Sequence, residues 1–262
     1  MWEAVKASVE AGKAIMKVYE TDFSVSNKSD NSPLTQADME SHAIISMVLD
    51  ATNIPILSEE GKDIPYSERK DWPVFWLVDP LDGTKEFVNR NDEFTVNIAL
   101  IENSYPLAGV IYIPVTDELF LGLPGRGALK FEHAMNLIGD CENLSKLLKS
   151  GKQLPVNQDT RPYTVVCSRS HMSAETEAFI EELKSLHGQI DYASRGSSLK
   201  LCMLAEGKAD MYPRFAPTME WDTAAGQAIA ESSGASVVHA HSGRRLQYNK
   251  KELLNPWFIV KR

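Results

Sequence analysis

Residues 74–87, "VFWLVDPLDGTKEF", constrain this chain more than any other stretch. Val74 to Val78 are large apolar residues in an unbroken run, the pattern of a buried strand. The run ends in two acids, Asp79 and Asp82, with Pro80 and Leu81 between them and Gly83 and Thr84 behind. Charge at the end of a buried strand is costly unless something compensates it. The segment is therefore either a polar turn or the holder of a cation, and the rest of the chain has to decide.

Two periodicities alternate around it. Trp2, Val5, Val9, Gly12, Met16 and Tyr19 recur at helical spacing and predict an amphipathic first helix that packs on the core. "TQAD" has the form of a capping box and opens a second helix from about Thr35 to Asp50, with Pro33 breaking the chain before it. "IPIL", "VFWLV", "EFTVNIALI" and "LAGVIYIPV" read as strands, the last two as an antiparallel hairpin joined by "ENSYP". "ELFLGLPGRGALKF" predicts two more strands about a Gly/Pro turn, and no Lys-Ser/Thr follows those glycines at the spacing of a phosphate loop. Beyond a polar segment, 139–162, come strand "YTVVCS", a helix near 173–187, helix "GSSLKLCMLAEG", strand "ADMYPRF", helix "EWDTAAGQAIAESSG" and short terminal strands. Without strict βαβ alternation this predicts a layered α/β or α+β fold, with subdomains at 1–138 and 139–262.

Composition narrows the partners. A formal net charge of −9 argues against binding a nucleic acid polymer, and a small anionic substrate would need local positive charge. Cys141, Cys167 and Cys202 are widely spaced and contain no CxxC pair, the usage of a reducing compartment. No apolar run reaches the length of a membrane span, and the N-terminal segment mixes Glu with Lys. The expectation is a cytoplasmic protein, monomeric or homodimeric, with at most peripheral association with the cytoplasmic membrane face.

Three acidic sites stand at element ends. "LSEEG" puts Glu59 and Glu60 past one strand, "DPLDGT" puts Asp79 and Asp82 past another, and "EWDTAAG" puts Asp222 at the start of an Ala-rich helix. Singly, each has an ordinary reading. Glu59 and Glu60 fit a solvated loop, Asp82 and Asp222 fit helix caps worth about 1 kcal/mol, and Asp38 is the acid of its own capping box. Together they offer the oxygen ligands that Mg2+ takes. Pro80 keeps Asp79 extended, the Leu81 carbonyl can turn inward, and Gly83 lets the chain turn where a ligand approaches. Thr84 opens a helix whose free N–H groups attract phosphate. One carboxylate about 4 Å from a phosphate charge costs on the order of 4 kcal/mol at an effective dielectric near 20, so a phosphate site here has to be metal-dependent. GxSxG, HExxH and Walker motifs are absent, and His239 and His241, without companion ligands, read as a surface pair.

At these residues the chain resembles the inositol monophosphatase superfamily of Mg2+-dependent, lithium-sensitive phosphatases. The hallmarks stand in order as "EE" at 59–60, "DPLDGT" at 79–84 and "WDTAAG" at 221–226. "DNSPLTQAD", "WLVDPLDGTKEF", "SRSH", "GSSLK", "AEGKAD", "YPRF" and "LNP" extend the likeness to the bacterial bisphosphate nucleotidase branch, most weakly over 132–160. The resemblance implies an αβαβα sandwich like that of inositol monophosphatase and fructose-1,6-bisphosphatase, with the active site between two subdomains. It implies two or three Mg2+ ions on Glu59, Asp79, the Leu81 carbonyl, Asp82 and Asp222, with Glu60 behind them or on a weakly held extra ion. Asp38 and Thr84 are implied to activate the attacking water. Gly83 and Thr84 are implied at the phosphate, and His171, Ser197, Lys200 and Arg214 at the nucleotide and its second phosphate.

The implied reaction is hydrolysis of 3′-phosphoadenosine 5′-phosphate to AMP and phosphate, as in sulfur assimilation. Inositol monophosphate hydrolysis by the same chemistry is the nearest alternative, disfavoured by "GTKEF" and "YPRF". A non-catalytic nucleotide sensor is a third reading, for which the complete ligand set gives little support. Arg169, Arg195 and Lys85 are further cations available to a second phosphate.

Overall fold

The computed structural model describes residues 1–27, 33–156, 161–167 and 173–262. The first helix, α1 (Trp2–Tyr19), is followed by a small antiparallel pair, β1 (Val25–Asn27) and β2 (Pro33–Thr35), and by α2 (Gln36–Asp50). Thr35 caps α2, its hydroxyl accepting from the Ala37 N–H at 3.2 Å while Asp38 accepts from the Thr35 N–H at 2.8 Å. The predicted capping box is thus realised.

A seven-stranded sheet follows: β3 (Ile56–Ser58), β4 (Val74–Asp82), β5 (Thr95–Glu102), β6 (Tyr105–Ile113), β7 (Glu118–Leu123), β8 (Gly127–Glu132) and β9 (Lys152–Gln153), lying side by side in chain order. Short helices α3 (Tyr66–Arg69), α4 (Thr84–Val88), α5 (Ala134–Asp140) and α6 (Leu144–Leu147) sit in the connections. Only β3 and β4 run parallel; the rest alternate. The predicted β5–β6 hairpin turns through Asn103 and Ser104, both with positive φ, the geometry that matches strand twist in a two-residue turn.

Side chains of β4 alternate between two cores. Trp76 and Val78 face α1 and α2, whereas Phe75 and Leu77 face the opposite layer. Burial on both faces is the reason the run Val74–Val78 is continuously apolar rather than alternating with polar residues.

The second half builds a five-stranded sheet, ordered β11-β10-β12-β14-β13, from β10 (Tyr163–Cys167), β11 (Ile190–Ser194), β12 (Met211–Arg214), β13 (Ser236–His239) and β14 (Phe258–Lys261). Between the two sheets lie α8 (Leu199–Glu206) and α9 (Glu220–Ser232), and α7 (Ala174–His187) covers the far face through Ile180 and Leu183. The layers run α1/α2, seven-stranded sheet, α8/α9, five-stranded sheet, α7: a mixed α/β sandwich of the expected αβαβα kind. The change from one sheet to the other falls between Gln153 and Tyr163, inside the polar segment. No described helix is long and apolar enough to cross a membrane.

The middle helix lies very close to the large sheet. A Cβ on Gly109 of β6 would come within 2.6 Å of the Ala225 carbonyl oxygen, and one on Gly122 of β7 within 2.7 Å of the Ala228 oxygen. This backbone-to-backbone contact fixes α9, and with it the position of Asp222 in its first turn.

Candidate active site

The strand–acid junction that opens the sequence puzzle is bulged. Asp79 pairs with Asn97 and Asp82 with Thr95, so three steps along β4 match two along β5. Pro80, which has no N–H for the ladder, sits within the irregularity. In a regular strand, residues three apart point to opposite faces. The extra residue brings both carboxylates to one side, close enough for the Asp82 charge to act on Asp79. The Ser41 hydroxyl of α2 pins the bulge by donating to the Pro80 carbonyl at 2.6 Å.

Glu59, just past β3, joins this junction because its N–H bonds the Val78 carbonyl at 3.1 Å. Asp222 arrives from α9, where it accepts from the Met219 N–H at 2.8 Å. Glu59, Asp79 and Asp222 offer carboxylate oxygens that all lie within 4.8 Å of one another. Both ordinary readings therefore hold in part: Asp222 does satisfy the start of α9, and it still reaches the cluster. Asp82 is not a cap, since Gly83, at φ 95°, holds that position ahead of α4. Glu60 is partly exposed and lies outside the three-carboxylate group.

Electrostatics distinguish this cluster from a solvated acidic turn. Burial, then Glu59, Asp82 and Asp222, push the Asp79 carboxyl well above its usual range. Burial and the Asp82 charge do the same to Asp222. Carboxylates forced together in low dielectric either take up protons or share a cation. An oxygen-only donor set of carboxylates, with the Leu81 carbonyl beside them, suits a hard divalent ion such as Mg2+.

Beside the cluster, the Thr84 hydroxyl donates to Asp38 Oδ1 at 3.1 Å and lies 3.4 Å from the Leu81 carbonyl. The other Asp38 oxygen holds the Thr35 N–H and hydroxyl, so this buried acid is fixed from both sides.

A cleft of about 470 Å3 opens from Asp82 and Asp222 toward the second half of the chain, where Ser197, Lys200 and Arg214 line it. Lys200 is 8% exposed and donates to the Ser197 and Arg195 carbonyls at 2.7 and 3.2 Å. Burial lowers its pKa to about 8, against the pull of Asp82. Arg214 reaches the Pro217 carbonyl through Nη2, while its buried Nε has no partner among the described residues. Ser197 adopts φ 40°, and its buried Oγ has no hydrogen-bond partner among the described residues, so its hydroxyl does not cap α8. Unpaired buried polar groups and a residue at positive φ on the lining of one cleft are features found at functional sites. Arg195 and Lys85 also line the cleft. His171 and Arg169 lie outside the described residues.

Sequence reasoning missed two site residues. The Ser198 N–H donates to Asp82 Oδ2 at 2.6 Å, and its Oγ is 2.6 Å from the same oxygen. Asn97, whose Nδ2 lies 3.2 Å from Asp82 Oδ2, is the other. An amide inside the apolar strand "FTVNIALI" was the available signal. His239 and His241 form a local turn, the His241 N–H donating to His239 Nδ1 at 3.0 Å, consistent with the surface reading.

Residues 2–258 match the model of the inositol monophosphatase family. The chain is 45% identical over 256 residues to the 3′(2′),5′-bisphosphate nucleotidase CysQ of Escherichia coli (strain K12), covering 95% of this chain and 94% of that protein. The nucleotidase of the same name from Haemophilus influenzae is 31% identical over 255 residues, covering 96% and 88%. The crystal structure of CysQ from Bacteroides thetaiotaomicron superposes with a TM-score of 0.91 at 48% identity, covering 99% of this chain and 95% of that one.

Proposed function

This chain belongs to the inositol monophosphatase family, and we propose that it is a 3′(2′),5′-bisphosphate nucleotidase that hydrolyses 3′-phosphoadenosine 5′-phosphate to AMP and phosphate. It is a phosphoric monoester hydrolase. The observation that carries the substrate assignment is one cleft lined both by the acids Asp82 and Asp222 and by two cations, the buried Lys200 and the half-buried Arg214. In this reading Asp82 and Asp222 serve the reacting phosphate, and Lys200 and Arg214 take the second one.

In this reading Glu59, Asp79, Asp82, Asp222 and the Leu81 carbonyl hold Mg2+, two or three ions in all, with Glu60 behind them. Bound there, the ions supply Lewis-acid stabilisation of the phosphoryl oxygens and lower the pKa of water. The chain's own groups do the rest. Thr84 orients the attacking water and accepts its proton while passing its own hydroxyl proton to Asp38, to which it is already hydrogen-bonded and which acts as the general base. The N–H groups after Gly83 receive the reacting phosphate. Ser197, Lys200 and Arg214 hold the second one; His171, the other expected nucleotide contact, lies outside the described residues. In this reading 1–138 carries the metal-binding DPLDGT motif, and 139–262 carries the WDTAAG motif with Asp222 and most nucleotide contacts. Li+ inhibits, and the enzyme works as a monomer or homodimer in the cytoplasm.

Phosphate release from adenosine 3′,5′-bisphosphate, AMP and inositol 1-phosphate, compared in Mg2+, tests the assignment. A preference of at least tenfold in kcat/KM for the bisphosphate, about 1.4 kcal/mol, is expected. A preference for inositol 1-phosphate overturns the substrate, and tight bisphosphate binding without any release overturns catalysis.

A further inference from the structure

Asp82 is held by a buried hydrogen-bond chain that begins on its cross-strand partner, Thr95 of β5. The Thr95 hydroxyl donates to Asn97 Oδ1 at 2.9 Å. Asn97 Nδ2 then lies 2.9 Å from Ser198 Oγ and 3.2 Å from Asp82 Oδ2. An ionised carboxylate only accepts, so the amide must present its NH2 to Asp82 and its oxygen to Thr95. Ser198 Oγ, accepting from Asn97, has one proton to place, and both Asp82 Oδ2 and the Asp222 carbonyl, at 2.8 Å, lie within reach. Thr95, Asn97 and Ser198 are each at most 2% exposed.

Nothing in the local structure of α8 or β5 demands these residues. Ser198 occupies the N-cap of α8, where serine ordinarily bonds the first turn, yet its side chain makes no capping bond. Asn97 lies among buried apolar neighbours in β5, where an amide is costly unless fully bonded. Both side chains are spent on Asp82. The Ser198 N–H and Asn97 Nδ2 donate to Oδ2 and the Ser198 hydroxyl lies within reach of it, while no described residue donates to Oδ1.

We infer that Asn97 and Ser198 are positioning residues for the cation site, occupying Oδ2 of Asp82 so that Oδ1 is the oxygen offered to the ion. Because Ser198 also touches the Asp222 carbonyl, the same hydroxyl ties the ligand of β4 to the ligand-bearing turn of α9. Hydrogen-bond partners of this kind fix ligand orientation and change metal affinity by about 10–100-fold when removed. The inference rests on the carboxylate cluster being a divalent-cation site.

The test uses the full-length, metal-stripped protein and reads Mn2+ binding by electron paramagnetic resonance of the free ion. Ser198→Ala keeps the backbone N–H bond to Asp82 and removes only the hydroxyl, and is the deciding variant; Ser198→Thr restores the hydroxyl. The Kd for Mn2+ is expected to rise about 10–100-fold in Ser198→Ala and in the near-isosteric Asn97→Leu, and to return toward wild type in Ser198→Thr. KM for the bisphosphate at saturating metal should stay unchanged. A Kd within about twofold of wild type in Ser198→Ala, or an equal loss in Ser198→Thr, overturns the positioning role. Absence of Mn2+ binding by the wild-type protein overturns the cation reading itself.

Discussion

The Thr84 hydroxyl donates to Asp38 Oδ1 at 3.1 Å, joining residues 46 positions apart on different elements. Thr84 starts α4 beyond the bulge, and Asp38 lies in the first turn of α2, where its second oxygen caps the helix. The pair is therefore built from two local helix-start rules that meet at the carboxylate cluster. Thr84→Val, which removes the hydroxyl, should lower kcat by about 10²–10⁴ with little change in KM, and Thr84→Ser should recover most of it. A Thr84→Val enzyme within a few-fold of wild type would remove the pair from proton transfer. Asp38→Asn should show the same kinetic loss and cost about 1 kcal/mol of stability through the weakened cap.

Lys200 carries the pH dependence of substrate capture. Burial holds its pKa down to about 8, so in the free enzyme the ammonium is complete below that pH and is lost above it. kcat/KM for the bisphosphate should accordingly fall on the alkaline side of pH about 8, since this ratio reports groups of the free enzyme. Lys200→Met should raise KM and abolish that limb. An unchanged limb in Lys200→Met would assign it to another group.

Stability without cations should fall as pH rises. Asp79 and Asp222 have folded-state values raised by burial and by their acidic neighbours. Carboxyls in the unfolded chain titrate near 3.9, so the stabilisation is whole below about pH 4 and is lost as pH climbs through the raised folded values. The melting temperature in EDTA should therefore decline from about pH 5 to 8, less steeply in Asp79→Asn, and Mg2+ should restore it by binding the folded state. Superimposable melting curves with and without Mg2+ at the upper pH would contradict this.

Gly109 tests the close contact that sets α9. In Gly109→Ala the new methyl meets the Ala225 carbonyl oxygen at 2.6 Å, and neither backbone can yield cheaply. A loss of about 1–3 kcal/mol in denaturant unfolding is expected, with weaker Mg2+ binding because α9 carries Asp222. An unchanged unfolding midpoint would mean that the helix shifts freely.

Most of the layering was legible because periodicity reports burial. The continuous run Val74–Val78 and the helical stripe from Trp2 to Tyr19 announce a sheet with a helical layer on it. The acids of "DPLDGT" and "WDTAAG" are ordinary helix or turn residues singly; together they suggested oxygen ligands for a cation, and the resemblance to a family made the set specific. The bulge at Pro80 and Leu81 was not legible, because register is decided by the partner strand. Nor were the roles of Asn97 and Ser198, whose bonds to Asp82 span 15 and 116 positions of chain. Gly109 and Gly122 read as strand residues, and only the approach of α9 explains the missing side chains.

The central claim is that the carboxylates of Glu59, Asp79, Asp82 and Asp222 work by sharing a divalent cation. The most direct measurement is phosphate release from adenosine 3′,5′-bisphosphate by metal-stripped protein as Mg2+ is titrated back. Turnover is expected to be absent in EDTA, to rise saturably with Mg2+, and to stay absent in Asp82→Asn. Full turnover in EDTA, or wild-type turnover in Asp82→Asn, would contradict the account.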